Sequence, residues 1–239
     1  MKDLQLKKIL KRGDKRGQVK LIQEWLSLHG HRVAIDEKFG PATESAIKKF
    51  QATSNLDTTG IVDDETFKFL IAPITAALVE IPSKDKTLGE MVVAYAKQHL
   101  AQYPREIGGQ NRGPWVRLYM NGKEGNASPW CAGFVCYCLR QACNTLNVSL
   151  PITPSYSCDL LAQSAKVKGR FVKRDKAGPG SLFLVNKSAN DWVHTGIVVS
   201  TSPETFTSIE GNTNDNGERE GYEVCSRTRS YNRMDFIMI

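Results

Sequence analysis

The chain changes its hydrophobic period partway along, and that change limits the folds open to it. Before Leu160 apolar residues recur at helical spacing. Beyond it they come in short segments, Ser181 to Val185, Val193 to Ser200 and Phe206 to Glu210, bounded by Gly, Pro, Ser and Asn clusters. Helices that precede strands make the class α+β, and 239 residues suit two modest domains. Val19, Ile22 and Leu26, with Trp25, share one helical face, and Gly30 stands as a C-cap. A second helix starts after Phe39-Gly40 with Pro41 in its first turn and runs to Phe50-Gln51. A third, shorter helix starts near Asp63-Asp64-Glu65-Thr66 and buries Phe67 and Leu70. These helices predict a three-helix domain over residues 1–72. A linker or docking strap follows over 73–89 and a second domain over 90–239. The second domain opens with a helix at Met91 to Leu100 and a Gly-rich loop at 108–114.

Charge narrows the partners without choosing among them. Lys and Arg number 32 against 25 Asp and Glu, and most of the net +7 lies within the first twenty residues. Such a balance favours a polyanionic surroundings, whether cell-wall polymer, nucleic acid or membrane surface. No window holds the ~18 consecutive apolar residues of a membrane span, so membrane insertion is not expected. The first residues carry Lys but no apolar stretch or cleavage site after it. Synthesis without a signal peptide is therefore the expectation, with action elsewhere only after release or specialised export. Six cysteines are read as thiols. None forms a Cys-x-x-Cys pair and only four histidines exist, so neither a metal nor another cofactor is expected.

The richest segment for chemistry is Pro129-Trp130-Cys131-Ala132-Gly133-Phe134, which places Cys131 at the start of an apolar helix. Unpaired N–H groups and the helix dipole there stabilise a thiolate. Cys136, Cys138 and Cys143 fall inside that helix and read as small core residues, with Cys158 and Cys225 uncommitted. A thiol nucleophile needs a base, and His194 sits on the strand Trp192 to Ser200. With Thr201-Ser202-Pro203 as a three-residue hairpin loop, Ser200 pairs with Glu204. His194 then falls opposite Glu210 and Trp192 opposite Asn212. That pairing gives nucleophile, base and orienting carboxylate. Asn111-Arg112-Gly113-Pro114-Trp115, with Trp130, would suit a substrate groove in which Arg112 meets a carboxylate and an indole covers sugar or peptide.

Two resemblances follow from these residues. Val19, Ile22-Gln23, Leu26, Gly30, Asp36, Phe39-Gly40, Thr43, Ala46, Phe50-Gln51, Leu56, Gly60-Ile61-Val62 and Thr66 resemble the peptidoglycan-binding domain type 1 family. The match departs at Glu37 and Asn55, where that family has Gly, and at Thr59 and Asp63. Trp130-Cys131-Ala132, His194-Thr195-Gly196-Ile197-Val198 and Glu210-Gly211-Asn212 resemble the cysteine, histidine-dependent amidohydrolase/peptidase (CHAP) family. This resemblance implies a papain-like domain, a cysteine-bearing helix packed on an antiparallel sheet. It also implies Cys131 as nucleophile, His194 as general base and acid, and Glu210 with Asn212 as orienting groups. Gly180-Ser181-Leu182-Phe183 departs by Ser181 in place of Asp.

Together they imply a monomeric, cofactor-free peptidoglycan hydrolase of the endolysin kind. It would cleave either the muramoyl-L-alanine amide or a peptide bond of the stem or cross-bridge. Rival readings are a delivered antibacterial effector of the same chemistry, a wall-binding protein without activity, and a cytoplasmic cysteine peptidase or transferase whose basic arm binds nucleic acid. The first reading, with peptidoglycan and not nucleic acid as partner, accounts for the order of the motifs.

Overall fold

The computed structural model describes residues 2–214 and 221–239. Four helices come first, α1 (Gln18–Leu28), α2 (Pro41–Thr53), α3 (Asp64–Leu70) and α4 (Ala72–Ala77). Four more follow, α5 (Leu88–Leu100), α6 (Pro114–Tyr119), α7 (Cys131–Leu146) and α8 (Cys158–Val167). The remainder is a six-stranded sheet of β1 (Phe171–Val172), β2 (Leu182–Ser188), β3 (Asp191–Thr201), β4 (Thr205–Thr213), β5 (Glu223–Ser230) and β6 (Met234–Ile237). Its order is β1-β6-β2-β3-β4-β5, every pair antiparallel, as an α+β domain requires. Among the described residues no helix is long and apolar enough to cross a membrane.

Local chemistry accounts for the N-terminal helices. α1 buries Val19, Ile22, Trp25 and Leu26 and stops at Gly30, whose φ of +87° lies in the left-handed region that ends helices. Asp63 caps α3, its carboxylate accepting the Thr66 N–H at 2.8 Å. Two buried glutamines tie the loops to the helices. Gln23 Nε2 donates to Asp36 Oδ1 (2.8 Å) and the Lys38 carbonyl (3.1 Å), and its Oε1 accepts the Glu37 N–H (2.9 Å). Gln51 Nε2 donates to the Ile61 carbonyl (2.8 Å) and Thr66 Oγ1 (3.0 Å), while its Oε1 accepts the Gly60 N–H (2.9 Å). Each buried glutamine thus spends its own amide on the loop that follows its helix, which fixes that loop and leaves the amide satisfied. Glu37 and Asn55, the two departures from glycine, take φ of +62° and +55°. These are backbone positions where glycine is unstrained, and asparagine tolerates them better than glutamate.

The stretch 73–89 carries most of α4 and is tied down, not free. Gln98 Nε2 donates to the carbonyls of Ala77 (3.1 Å) and Val79 (2.8 Å), and Tyr95 Oη accepts the Ile81 N–H (3.2 Å). Thr87 and Glu90 then close a reciprocal capping box on α5. α7 lies at the centre of the second half, burying Phe134, Val135, Cys136, Cys138, Leu139 and Ala142 against α5 and the sheet. One apolar core runs from α1 through α7 to Leu182, Ile197 and Ile209. Phe183, Val198, Phe206 and Phe236 form a smaller cluster on the sheet. The N-terminal helices join the rest through Trp25, edge-on to Trp115 at 6.1 Å, and through Arg117, which reaches Glu24 of α1.

Candidate active site

Cys131 is the first residue of α7, as its place after Pro129-Trp130 predicts. The preceding Trp130 offers no side-chain cap, so the first-turn N–H groups are free to act on charge. The Cys131 thiol is drawn well below the usual thiol range. The Cys158 thiol, 3.9 Å away sulfur to sulfur, is the largest cause. His194 and the Ala132 N–H add to it, and together they outweigh burial. Burial pushes the His194 imidazole down, but Cys131 and Glu210 outweigh it and raise the ring to about 9. Burial raises Glu210, and Arg229 and His194 overcome it, leaving the carboxyl at about 2. The shifts favour thiolate, imidazolium and carboxylate in the three groups, with the Arg229 guanidinium at the end of the chain of contacts.

Hydrogen bonds fix this order in space. His194 Nε2 bonds Glu210 Oε2 at 2.8 Å, which leaves Nδ1 as the buried ring nitrogen without a hydrogen-bond partner and available to the thiol. Arg229 donates through Nε to Glu210 Oε1 and through Nη2 to Oε2, both at 2.5 Å. Ser208 Oγ donates to Oε1, also at 2.5 Å. Every side chain of this set is buried or nearly so.

The pairing that brings His194 to Glu210 differs from the expected one. The hairpin loop is Ser202-Pro203-Glu204, not Thr201-Ser202-Pro203, because Thr201 pairs with Phe206 and Ser200 with Thr207. Taken alone, that three-residue slip would turn Glu210 to the other face. An irregularity at Val199 absorbs one residue, so Val198 pairs with Ser208 and Ile197 with Ile209. The net slip is two, which restores the face and places His194 and Glu210 diagonally instead of directly opposite. Gly196 makes the diagonal passable. A Cβ there would stand 2.7 Å from Glu210 Cγ and 2.6 Å from the Phe183 ring. Gly211 serves the neighbouring contact, since a Cβ on it would stand 2.7 Å from the Trp130 ring and 2.8 Å from Phe134 Cβ.

Cys131 opens on a cleft of about 330 Å³ lined by Asn111, Asn126, Tyr156, Cys158, Asp159, Asp191, Trp192 and Asn212, among others. Asn212 is buried with φ of +57°, and its Oδ1 has no hydrogen-bond partner. Asn111 is also buried. Its N–H donates to Glu106 Oε2 (2.7 Å) and its Nδ2 to the Asn126 carbonyl (3.4 Å). The other groove expectations are corrected by burial and position. Trp130 lies wholly inside, donating through Nε1 to Glu106 Oε1 at 2.8 Å and stacking on Tyr119 at 5.5 Å. Trp115 is equally interior, between Trp25 and Tyr119. Arg112 is exposed but does not line the cleft. The indole that does line it is Trp192, which donates to Asp235 Oδ2 at 2.8 Å.

Sequence reasoning missed four members of the site. Ser208 was detectable in principle, two residues before Glu210 and so on the same strand face. Arg229, Glu106 and Cys158 come from distant segments and carry no local signal. Among the described residues, no three His, Cys, Asp or Glu converge as a metal would require.

Two family models match separate parts of the chain. Residues 15–70 match the family described as "Putative peptidoglycan binding domain", and residues 123–212 match the CHAP domain family. A crystallised peptidoglycan-binding protein from Clostridioides difficile, in complex with glutamine hydroxamate, is 35% identical over 26% of this chain and 40% of its own, with a TM-score of 0.26. A Burkholderia AP3 phage endolysin is 25% identical over 45% of this chain and 41% of its own, also at 0.26. The chain thus spans about two fifths of each. No curated protein matches it.

Proposed function

Because this chain pairs a peptidoglycan-binding domain with a CHAP domain, we propose that it hydrolyses an amide bond of peptidoglycan by cysteine nucleophilic catalysis. The chain of contacts Cys131, His194, Glu210, Arg229 carries the reading, because it supplies a thiolate on the wall of a cleft and a buried imidazole as proton donor. The Cys131 thiolate adds to the carbonyl carbon, and its C=O electron pair moves onto oxygen. First-turn N–H groups of α7 are placed to hold that oxyanion. Collapse breaks the C–N bond as His194 passes its proton to the leaving amine, giving a thioester. The neutral imidazole then takes a proton from water, the hydroxide attacks, and the thiolate departs as the ion pair re-forms. Glu210 holds the ring in its tautomer and stays ionised throughout, with Arg229 and Ser208 filling its remaining lone pairs.

The scissile bond is the muramoyl-L-alanine amide or a peptide bond of the stem or cross-bridge. The N-terminal helices hold the enzyme to the wall, as in a phage endolysin that meets its substrate after release from the cytoplasm. Purified sacculi digested by the wild type and by Cys131→Ala, with the new ends identified by mass spectrometry, test both points. New L-alanine amino termini beside lactyl carboxylates identify an amidase, and new ends within peptides an endopeptidase. New reducing sugar ends, equal release by both proteins, or no release from several wall types by folded, reduced protein would each overturn the proposal.

A further inference from the structure

Cys158 stabilises the Cys131 thiolate but makes and breaks no bond in the hydrolysis just described. Cys131 and Cys158 are the first residues of α7 and α8, both line the cleft, and their sulfurs lie 3.9 Å apart with no covalent bond. The sulfurs need to approach by about 2 Å to reach the ~2.05 Å of a disulfide. We propose that the pair is a site of oxidative modification, in which a hydroperoxide entering the cleft drives a reversible Cys131–Cys158 disulfide that protects the nucleophile from irreversible oxidation.

The chemistry balances with hydrogen peroxide as the oxidant. The Cys131 thiolate attacks one peroxide oxygen, the O–O bond breaks, and the sulfur is oxidised to sulfenic acid. The departing hydroxide takes the His194 proton and leaves as water. Cys158 sulfur then attacks Cys131 sulfur, the S–O bond breaks, and hydroxide leaves with the Cys158 proton as a second water. Two thiols of an external reductant reverse the product. While Cys131 is a thiolate, its charge and hydrogen bond hold the Cys158 proton on. Conversion to sulfenic acid removes that charge, so Cys158 becomes easier to ionise at the step that needs it.

The remaining thiols of α7 cannot substitute. Cys136 donates to the Ser155 carbonyl (3.3 Å), Cys143 bonds the Ser149 carbonyl, and Cys138 is wholly interior. Burial raises all three, and none lines the cleft.

The test treats the full chain with hydrogen peroxide and maps its peptides without reduction. The expected result is a mass loss of about 2 Da and a Cys131–Cys158 cross-linked peptide that dithiothreitol reverses. Cys158→Ser should instead gain about 32 Da on Cys131 as sulfinic acid, which dithiothreitol cannot remove. Wild-type protein that accumulates sulfenic or sulfinic acid at Cys131 with no cross-link would overturn the proposal. Equal dithiothreitol recovery of Cys131 in both proteins would do so too. Should the variant fail to fold, the wild-type map decides alone. The proposal rests on the reactive thiolate assigned to Cys131, but its readout is mass and not wall cleavage. An inactive protein with the cross-link would therefore count only against the hydrolase reading.

Discussion

Two half-buried arginines hold carboxylates in this molecule, and only one of them is tied through its carboxylate to an imidazole and a thiol. Arg117 sits where the N-terminal helices meet α6. It donates through Nε to Asp3 Oδ2 (2.6 Å), through Nη2 to Glu24 Oε2 (2.7 Å) and through Nη1 to Glu124 Oε2 (2.7 Å), and Lys20 meets Glu124 at 2.6 Å. Arg229 grips the single carboxylate of Glu210, whose other contacts are Ser208 and His194. The hollows beside them do not tell them apart, at about 320 Å³ along the Arg117 cluster and 330 Å³ at the thiol end of the other. What differs is the end of each chain of contacts. The Arg117 network closes on three carboxylates and the Lys20 ammonium, and reaches no imidazole or thiol. The Arg229 chain ends in an imidazole and a thiol whose protonation states are poised to change. Buried charge alone marks a tie between elements, and it marks a reactive site only when it terminates on such a group.

The contrast is open to direct attack, beginning where the largest effect is expected. Cys131→Ala should lower wall hydrolysis by at least about 10⁴-fold with an unchanged melting temperature, read by turbidity loss of sacculi and by calorimetry. Glu210→Gln keeps a hydrogen bond to the ring but removes its counter-charge. A loss of roughly 10² to 10⁴-fold is expected, and a variant within a few-fold of wild type would remove Glu210 from the mechanism. Arg117→Ala should do the opposite. Stranding Glu24 in the interior costs on the order of 3–5 kcal/mol, or roughly 10 °C in Tm for a chain this long, while turnover of the folded variant stays within about twofold. Turnover collapsing below the melting transition would show that the two networks are coupled.

Gly196→Ala crowds Phe183 and Glu210 Cγ, so about a tenfold loss of rate and roughly 1–3 kcal/mol of stability are expected. The gentlest probe is pH. The imidazolium is held up to about 9, so the wild-type rate should decline as pH rises through that value, and a decline centred near 7 would refute the ion pair. Glu210 has its pKa depressed. Its stabilisation is full above the unfolded value of ~4.3 and lost only as pH falls towards about 2, which acid titration of the fold would follow.

The N-terminal helices were legible because their information is local. Period, caps and turn glycines sit within a few residues of one another, and the motif residues Gln23 and Gln51 act as internal braces on nearby loops. Cys131 was legible for the same reason, since a helix start can be read from its flanks. His194 and Glu210 were placed on one face by strand alternation, but the pairing was two residues out, because the hairpin loop lies further along the chain than its turn residues suggested and the irregularity at Val199, which no local signal announced, takes back only one of the three residues. Trp115 and Trp130 were misplaced because an indole beside a Gly-Pro turn or a nucleophile looks the same whether it faces solvent or the core. Arg229 and Cys158 depend on contacts 19 and 27 residues away in sequence, which no local pattern encodes.

Since the odd residue at Val199 is taken up between the site and the hairpin tip, the two ends of that hairpin are mechanically decoupled. Thr201 pairs with Phe206, and the Ser202 N–H and Oγ both donate to the Thr205 carbonyl at 2.8 Å. This small latch closes the turn without reference to Glu210. The exposed Ser202-Pro203-Glu204 tip is therefore a natural graft point, where an inserted peptide should leave the His194–Glu210 contact behind the bulge in place.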